Sequence, residues 1–341
     1  MKKIVQIFVF LSFLTQVYSQ GQKQEQKNVQ EKVIIAYVTS WSRVMPDPTY
    51  MTHINYAFGH VNDSFNGVRI DNEERLRQIC SLREQNPALK VMLSIGGWGS
   101  GKFSEMAADE ALRKAFAADC QRVVEEFGLD GVDIDWEYPT SAAAKISSSP
   151  DDTKNFTLLM EDIRAEIGKD KLLTLASAAN AKYIDFRAIE PVVDFVNIMS
   201  YDMASAPRHH SPLFRSEIAG HTTSEEAVNA HLKAGIPKEK LVMGMPFYGR
   251  GGKSISNFID YNKIESLEGY EKKWDDVAKV PYLVDADGVL VCGYDDPQSL
   301  AIKCKYILDQ GLLGGMYWDY AGDNKSGDLK KAVFEGLMKS K

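Results

Sequence analysis

The chain has 341 residues, 44% of them hydrophobic and 26% charged, a balance that suits a globular protein with a large core and excludes a disordered or fibrous one. Its formal charge of −7 argues against nucleic acid or an anionic membrane as partner and says nothing against a neutral polysaccharide. Four cysteines are too few for a disulfide scaffold of this size, and their spacing matches no metal-ligand pair.

Lys2 and Lys3, the apolar run Ile4 to Leu14 and the compact residues Val17 to Ser19 read as a secretory signal peptide over residues 1–19. A polar segment, 20–31, follows. The apolar run is short for a membrane span, so no integral span is expected after cleavage, and secretion or periplasmic export is. Loss of residues 1–19 removes two lysines and takes the charge to −9. A catalytic body is expected over 32–341.

From Val33 onward, short β-branched runs alternate with helical patterns, which is the mark of strand and crossover-helix units. Eight strands are predicted, at Val33 to Val38, His53 to Phe58, Lys90 to Ile95, Leu129 to Glu137, Leu172 to Ala178, Asp194 to Ser200, Leu241 to Phe247 and Gly314 to Asp319. Leu112, Phe116, Cys120, Val123, Val124 and Phe127 recur at helical spacing between the third and fourth strands. Further helices are predicted over Asn155 to Ile167, Glu225 to Ala234 and Leu300 to Leu308. Cys80 and Cys120 fall on apolar helix faces and read as buried thiols; the disulfide state stays open. The fold class implied is α/β, a (β/α)8 TIM barrel with its site at the C-terminal ends of the strands. A doubly wound sheet is the alternative, but no Gly-rich phosphate loop follows the first strand. The long gap before the eighth strand holds a small α+β insertion, about 251–295, expected to wall the cleft.

The fourth strand carries the chemistry. Asp133, Asp135 and Glu137 alternate with Val132, Ile134 and Trp136, so on an extended chain the acids share one face, roughly 6.6 Å apart at Cα. Like charges crowded in a core lose hydration and raise one another's pKa, a cost that points to function. A solvated loop is at odds with the interleaved apolar residues, and a calcium loop with the missing Gly and ligand spacing. His209 and His210, adjacent in a loop next to prolines, read as solvent-exposed rather than metal-binding. No metal or cofactor is expected.

The run Asp130-Gly131-Val132-Asp133-Ile134-Asp135-Trp136-Glu137 resembles the signature of the glycoside hydrolase family 18 chitinases. Ser94-Ile95-Gly96-Gly97-Trp98, Met199-Ser200-Tyr201-Asp202, Met245-Pro246-Phe247-Tyr248-Gly249-Arg250 and Gly314-Gly315-Met316-Tyr317-Trp318 are similar to its motifs on the third, sixth, seventh and eighth strands. The resemblance implies cleavage of β-1,4-linked N-acetylglucosamine polymers or oligomers with retention, the substrate's own 2-acetamido oxygen acting as nucleophile. It implies Glu137 as general acid and base, Asp135 as the orienting group for the acetamido N–H, Asp133 sharing a proton with Asp135, and Tyr201 as hydrogen-bond donor to the acetamido oxygen. Asp202 would support the sugar at the cleavage point and the acid. Trp318 is expected as the apolar floor beneath that sugar. Tyr37 and Phe58 line the acetamido pocket or serve as core aromatics. Trp98 stacks a sugar or caps its strand. Arg250 bonds sugar hydroxyls or forms a surface salt bridge. Met199 and Tyr248 join the substrate-binding set through their motifs. By the same resemblance, Ala57-Phe58, Glu137-Tyr138 and Trp318-Asp319 are candidate cis peptides.

The insertion is shorter than in many relatives, and no chitin-binding module or linker follows the barrel, so a monomer acting on soluble oligomers or accessible chains is expected. Two rivals remain. One is an endo-β-N-acetylglucosaminidase cutting the chitobiose core of N-glycans; the other is a non-catalytic glycan-binding barrel, which generally lacks one of the acids present here.

Overall fold

The computed structural model of the chain describes residues 31–252 and 255–339. The expected signal peptide and most of the polar segment lie outside them. Eight parallel strands form the body: β1 (Val33–Thr39), β2 (His53–Val61), β3 (Lys90–Gly96), β4 (Gly131–Asp135), β5 (Leu172–Ala178), β6 (Phe195–Met199), β7 (Leu241–Pro246) and β8 (Gly314–Trp318). Each pairs with the next, and β1 pairs with both β2 and β8, which closes the barrel. Val68–Ile70 adds an antiparallel hairpin to β2 beyond the barrel rim.

Crossover helices pack outside this ring, and their ends are set by local chemistry. Helix α1 (Glu73–Ser81) starts at Asn72, whose side chain accepts from the Arg75 N–H. Helix α2 (Glu110–Phe127) is capped by Asp109, turns Phe116, Cys120, Val123 and Val124 inward, and stops at Gly128, whose φ of 62° suits a residue without Cβ. Helices α3 (Asp152–Ile167), α4 (Ser224–Ala234) and α5 (Pro297–Gln310) follow, the last opened by a capping box between Asp296 and Ser299.

The core has two parts. The larger lies between barrel and helices and holds Val132, Ile134 and Trp136 of the fourth strand and its end. The smaller fills the barrel with Ile35, Tyr37, Ala57, Phe58, Phe195, Tyr201, Val242, Tyr248 and Met316. Trp136 belongs wholly to the outer layer, stacked on Phe103 at 5.3 Å and 13°.

Between β7 and β8 the predicted insertion forms a five-stranded antiparallel sheet in the order Ile259–Asp260, Tyr248–Gly251, Leu290–Gly293, Val280–Val284, Glu271–Asp275. It begins at Tyr248, three residues earlier than expected. All four cysteines are free thiols; Cys120 is buried as expected, whereas Cys80 is half-buried. Among the described residues no helix is long and apolar enough to cross a membrane, and no cluster of three His, Cys, Asp or Glu could hold a metal ion.

Candidate active site

Strand register builds the site from its base. Asp133 lies opposite Ser94 on β3 and Thr174 on β5, so hydroxyls reach its carboxylate from both neighbours. Ser94 donates to Oδ2 at 2.9 Å and Thr174 to Oδ1 at 2.6 Å; Tyr37 of β1 adds a bond to Oδ2 at 2.8 Å and Asn197 of β6 one to Oδ1 at 3.1 Å. Asp133 is fully buried. Burial pushes its carboxyl above the ordinary range, and the four donors pull against that rise. None of these four bonds comes from Asp135.

Asp135, one step up the same face, has a buried Oδ1 with no hydrogen-bond partner. Burial, then the charges of Glu137 and Asp133, push its carboxyl well above the usual range. Glu137 stands two residues past the end of β4 rather than on it, after Trp136 has anchored in the outer core. Burial lifts its carboxyl to about 7; a hydrogen bond with Tyr138 works the other way, and the charge of Asp202 adds to the rise. Such a group carries a proton near neutrality and can return it, as a general acid and base must.

The backbone beside this row is crowded. A Cβ on Gly96, whose φ is 132°, would fall 1.9 Å from the Asp135 carbonyl oxygen, and one on Gly97 would lie 2.7 Å from the Phe58 ring. The paired glycines let the end of β3 pass between the acid row and the ring of Phe58. Cis peptides occur at Ala57-Phe58, Glu137-Tyr138 and Trp318-Asp319, the three expected positions, and at Ala206-Pro207.

A cleft of about 550 Å³ opens over these residues. Of the twelve site residues expected from sequence, eleven line it, and Asp133 lies beneath. Trp318 forms an aromatic surface with Phe58, stacked at 5.6 Å and 21°, and with Tyr37 at 5.7 Å. Tyr37 therefore does two things, lining the cleft with its ring and donating to Asp133 with its hydroxyl. Tyr201 is buried, and burial followed by the charge of Asp135 keeps its phenol protonated well above the ordinary range, so it remains a donor. Met199 lines the cleft beside it.

Asp202 receives the Tyr248 hydroxyl at 2.6 Å and Arg250 Nε at 2.6 Å, with Arg250 Nη2 on its other oxygen. Burial pushes Asp202 up, but His210 and Arg250 outweigh it and hold the carboxyl below its ordinary range. Arg250 is thus an ion-pair partner inside the cleft, and its guanidinium also lies over the rings of Tyr248 and Phe258 at 5.4 and 5.6 Å.

His209 and His210, expected in solvent, are both 1% exposed. His209 Nε2 lies 3.1 Å from Asp275 of the insertion and His210 Nδ1 3.6 Å from Asp202, so their loop is drawn inward between two acids. Trp98 is 64% exposed, lines the cleft and makes a T-shaped ring contact with Tyr138 at 6.4 Å.

Sequence reasoning missed Trp41, Tyr138, Ala176 and Phe258 as lining residues. Trp41, also 64% exposed, lies 6.5 Å from Trp318 and 6.3 Å from Phe58. Its signal was available, a tryptophan in a polar stretch just past the C-terminal end of a barrel strand. Phe258 stacks on Tyr248 at 4.3 Å, and only the folded insertion brings it there.

A family model described as Glycosyl hydrolases family 18 matches residues 33–323. Chitinase A1 of Niallia circulans is 30% identical over 94% of this chain and 61% of its own length, so the present chain spans less than two thirds of that relative. Chitinase 1 of Aphanocladium album is 31% identical over 84% of this chain and 74% of its own. Among solved structures, a family 18 N-acetylglucosaminidase from Paenibacillus barengoltzii superimposes with a TM-score of 0.83 at 34% identity, covering 90% of this chain and all of that one.

Proposed function

The chain belongs to the glycosyl hydrolases of family 18 and is a glycoside hydrolase; from that premise we propose that it is a chitinase, cleaving β-1,4-linked N-acetylglucosamine chains with retention and with the substrate's acetamido oxygen as nucleophile. The observation that carries this reading is the division of labour among four carboxyls. An ordinary retaining glycosidase sets a proton donor and a free carboxylate nucleophile on either side of the bond. Here Glu137 is tuned as the proton donor, but Asp133 is consumed by four donors and Asp202 by Tyr248 and Arg250. Asp135 is buried between like charges, which suits a group that accepts an N–H rather than one that attacks carbon. The nucleophile then has to come with the substrate.

In this mechanism the sugar at the cleavage point rests on Trp318, its 2-acetamido group turned toward Tyr37 and Tyr201. Glu137 protonates the leaving oxygen while the acetamido oxygen, fixed by the Tyr201 hydroxyl, attacks the anomeric carbon from the opposite face. Asp135 takes the acetamido N–H and offsets the positive charge that develops on the cyclic intermediate. Glu137, now ionised, removes a proton from the incoming water, and opening of the ring restores the original configuration.

Soluble oligomers and accessible chains fit the short insertion better than crystalline chitin does. The Paenibacillus neighbour, described as an N-acetylglucosaminidase and covered along its whole length, favours a second reading in which short oligomers are the main substrates. Export by a signal peptide at residues 1–19 belongs to the same proposal and rests on Lys2, Lys3 and the apolar run after them. The deciding experiment is product analysis with N-acetylglucosamine oligomers, deacetylated oligomers and a high-mannose glycoprotein. Cleavage of the acetylated oligomers alone is expected. Cleavage of the deacetylated set at a similar rate would overturn the acetamido mechanism, and cleavage of the glycoprotein alone would replace chitin by the N-glycan core as substrate.

A further inference from the structure

Arg75 lies outside the cleft, on α1, and is only 6% exposed. Among the described residues no acid pairs with it, although burying a guanidinium without a counter-charge costs stability. Its bonds go to backbone carbonyls. Nε donates to Thr39 O at 3.1 Å and Nη2 to Val44 O at 2.8 Å. Thr39 is the last residue of β1, and Val44 lies five residues further on. The planar fork of Arg75 therefore grips both shoulders of one loop, and between the shoulders stands Trp41.

The rest of the grip comes from the same helix end. Asn72, at a φ of 56°, accepts from the Arg75 N–H and donates its Nδ2 to Ser40 O at 3.2 Å. The Tyr56 hydroxyl lies 2.9 and 2.8 Å from the carbonyls of Asp71 and Asn72 and fixes that turn against β2. Ser40 N donates to Ala57 O at 2.7 Å, and Val44 N to Ser42 Oγ at 3.1 Å. Trp41 itself has little to hold it, being 64% exposed and touching Trp318 and Phe58 only at ring distances above 6 Å.

We propose that Arg75 is a positioning residue that holds the Trp41 loop as a platform for a sugar next to the one on Trp318, and so sets how much the enzyme gains from longer substrates. An exposed indole binds a sugar face well only if its orientation is fixed beforehand, since otherwise binding must also order the loop. The fork on Thr39 and Val44 fixes it at a distance of one helix from the chemistry. This inference rests on the proposed action on N-acetylglucosamine chains.

The test compares Arg75→Met and Arg75→Lys with the parent on the shortest oligomer it cleaves and on the hexamer. For Arg75→Met, kcat/KM on the hexamer is expected to fall roughly 3- to 10-fold, through KM, while the shortest substrate changes less than about twofold. Arg75→Lys, which cannot fork, should fall between. In a Trp41→Ala background, Arg75→Met should have no further effect on the hexamer. Equal losses on both substrates, or additive effects in the double variant, would overturn the proposal. A second readout is independent of turnover. The chain has five tryptophans, and the ¹⁵N indole resonance of Trp41, assigned by its loss in Trp41→Phe, should shift or broaden in Arg75→Met while those of Trp136 and Trp274 stay in place. An unmoved Trp41 resonance would overturn the role of Arg75. If Arg75→Met does not fold, Asn72→Ala, which releases Ser40 O from the same grip, is read in the same two ways. A parent enzyme that cleaves no N-acetylglucosamine oligomer would overturn the proposed reaction, and the indole spectrum would then decide Arg75 alone.

Discussion

The two faces of the fourth strand and its C-terminal end alternate through the six residues from Val132 to Glu137 and obey opposite rules. Val132, Ile134 and Trp136 face the helices, where each gains by leaving water, about 1.5–3 kcal/mol for an aliphatic side chain of this size. Asp133, Asp135 and Glu137 face the barrel interior and the cleft, where burial works against all three and only Asp133 is met by four donors that pull against it. The outer face holds the strand in the barrel; the inner face is carried at a cost because its chemistry requires the cost. The division predicts that Asp135 and Glu137 can be altered for function without loss of fold, and the outer row for fold without direct loss of chemistry.

Glu137→Gln is the sharpest way to test that separation. It removes the proton donor and leaves shape and hydrogen-bonding capacity nearly intact, so turnover should drop by about 10²- to 10⁴-fold while oligomer binding persists. Rates on N-acetylglucosamine oligomers and binding by calorimetry check both halves. An unchanged rate would remove Glu137 from the mechanism and, with it, the functional meaning of the inner face.

The outer face should fail in the opposite sense. Ile134→Ala deletes fully buried methyl groups against the helices and should cost ~2–5 kcal/mol of stability, read from denaturant unfolding. The folded fraction should keep its kcat within a few-fold. A large loss of kcat at full folding would show that the two faces are mechanically coupled and that the comparison is too simple.

Period-2 alternation made this division legible before the fold was known, because it needs only the strand assignment and the chemistry of the side chains. The closed barrel was likewise legible from eight β-branched runs and their intervening helices. What was not legible came from contacts between distant segments. Thr174 and Asn197 carry no sign in the chain that they will meet Asp133, since only the register of β4, β5 and β6 aligns them. His209 and His210 look like a polar loop until Asp275 from the insertion and Asp202 from the end of β6 are brought to either side of them. Phe258 reaches the cleft only because Ile259 and Asp260 pair with Gly249 and Tyr248. Local pattern carries local geometry; meeting of remote residues is a property of topology.

The inner face also makes a pH prediction. With the Glu137 carboxyl at about 7, kcat/KM should decline as pH rises through that value, because the proton it must donate is lost. Moving this limb to a lower pH in Asp202→Asn, where a neighbouring negative charge is gone, would support the assignment. A limb that stays in place in both Asp202→Asn and Glu137→Gln residual activity would belong to some other group.

The smallest effect concerns stability and completes the contrast. In the unfolded chain a glutamate releases its proton near 4.5, whereas Glu137 keeps it in the fold to about 7. Between those values the folded form binds more protons than the unfolded one, so the contribution of this site to stability falls as pH rises. Glu137→Gln removes the titration and should leave the variant more stable than the parent by up to about 3 kcal/mol at pH 8, with the difference shrinking toward pH 4.5. Matched unfolding curves across that range check it. An inactive variant that is less stable than its parent at pH 8 would mean that the ionised Glu137 is welcomed by its surroundings, and the acid face would then be a structural asset rather than a burden carried for catalysis.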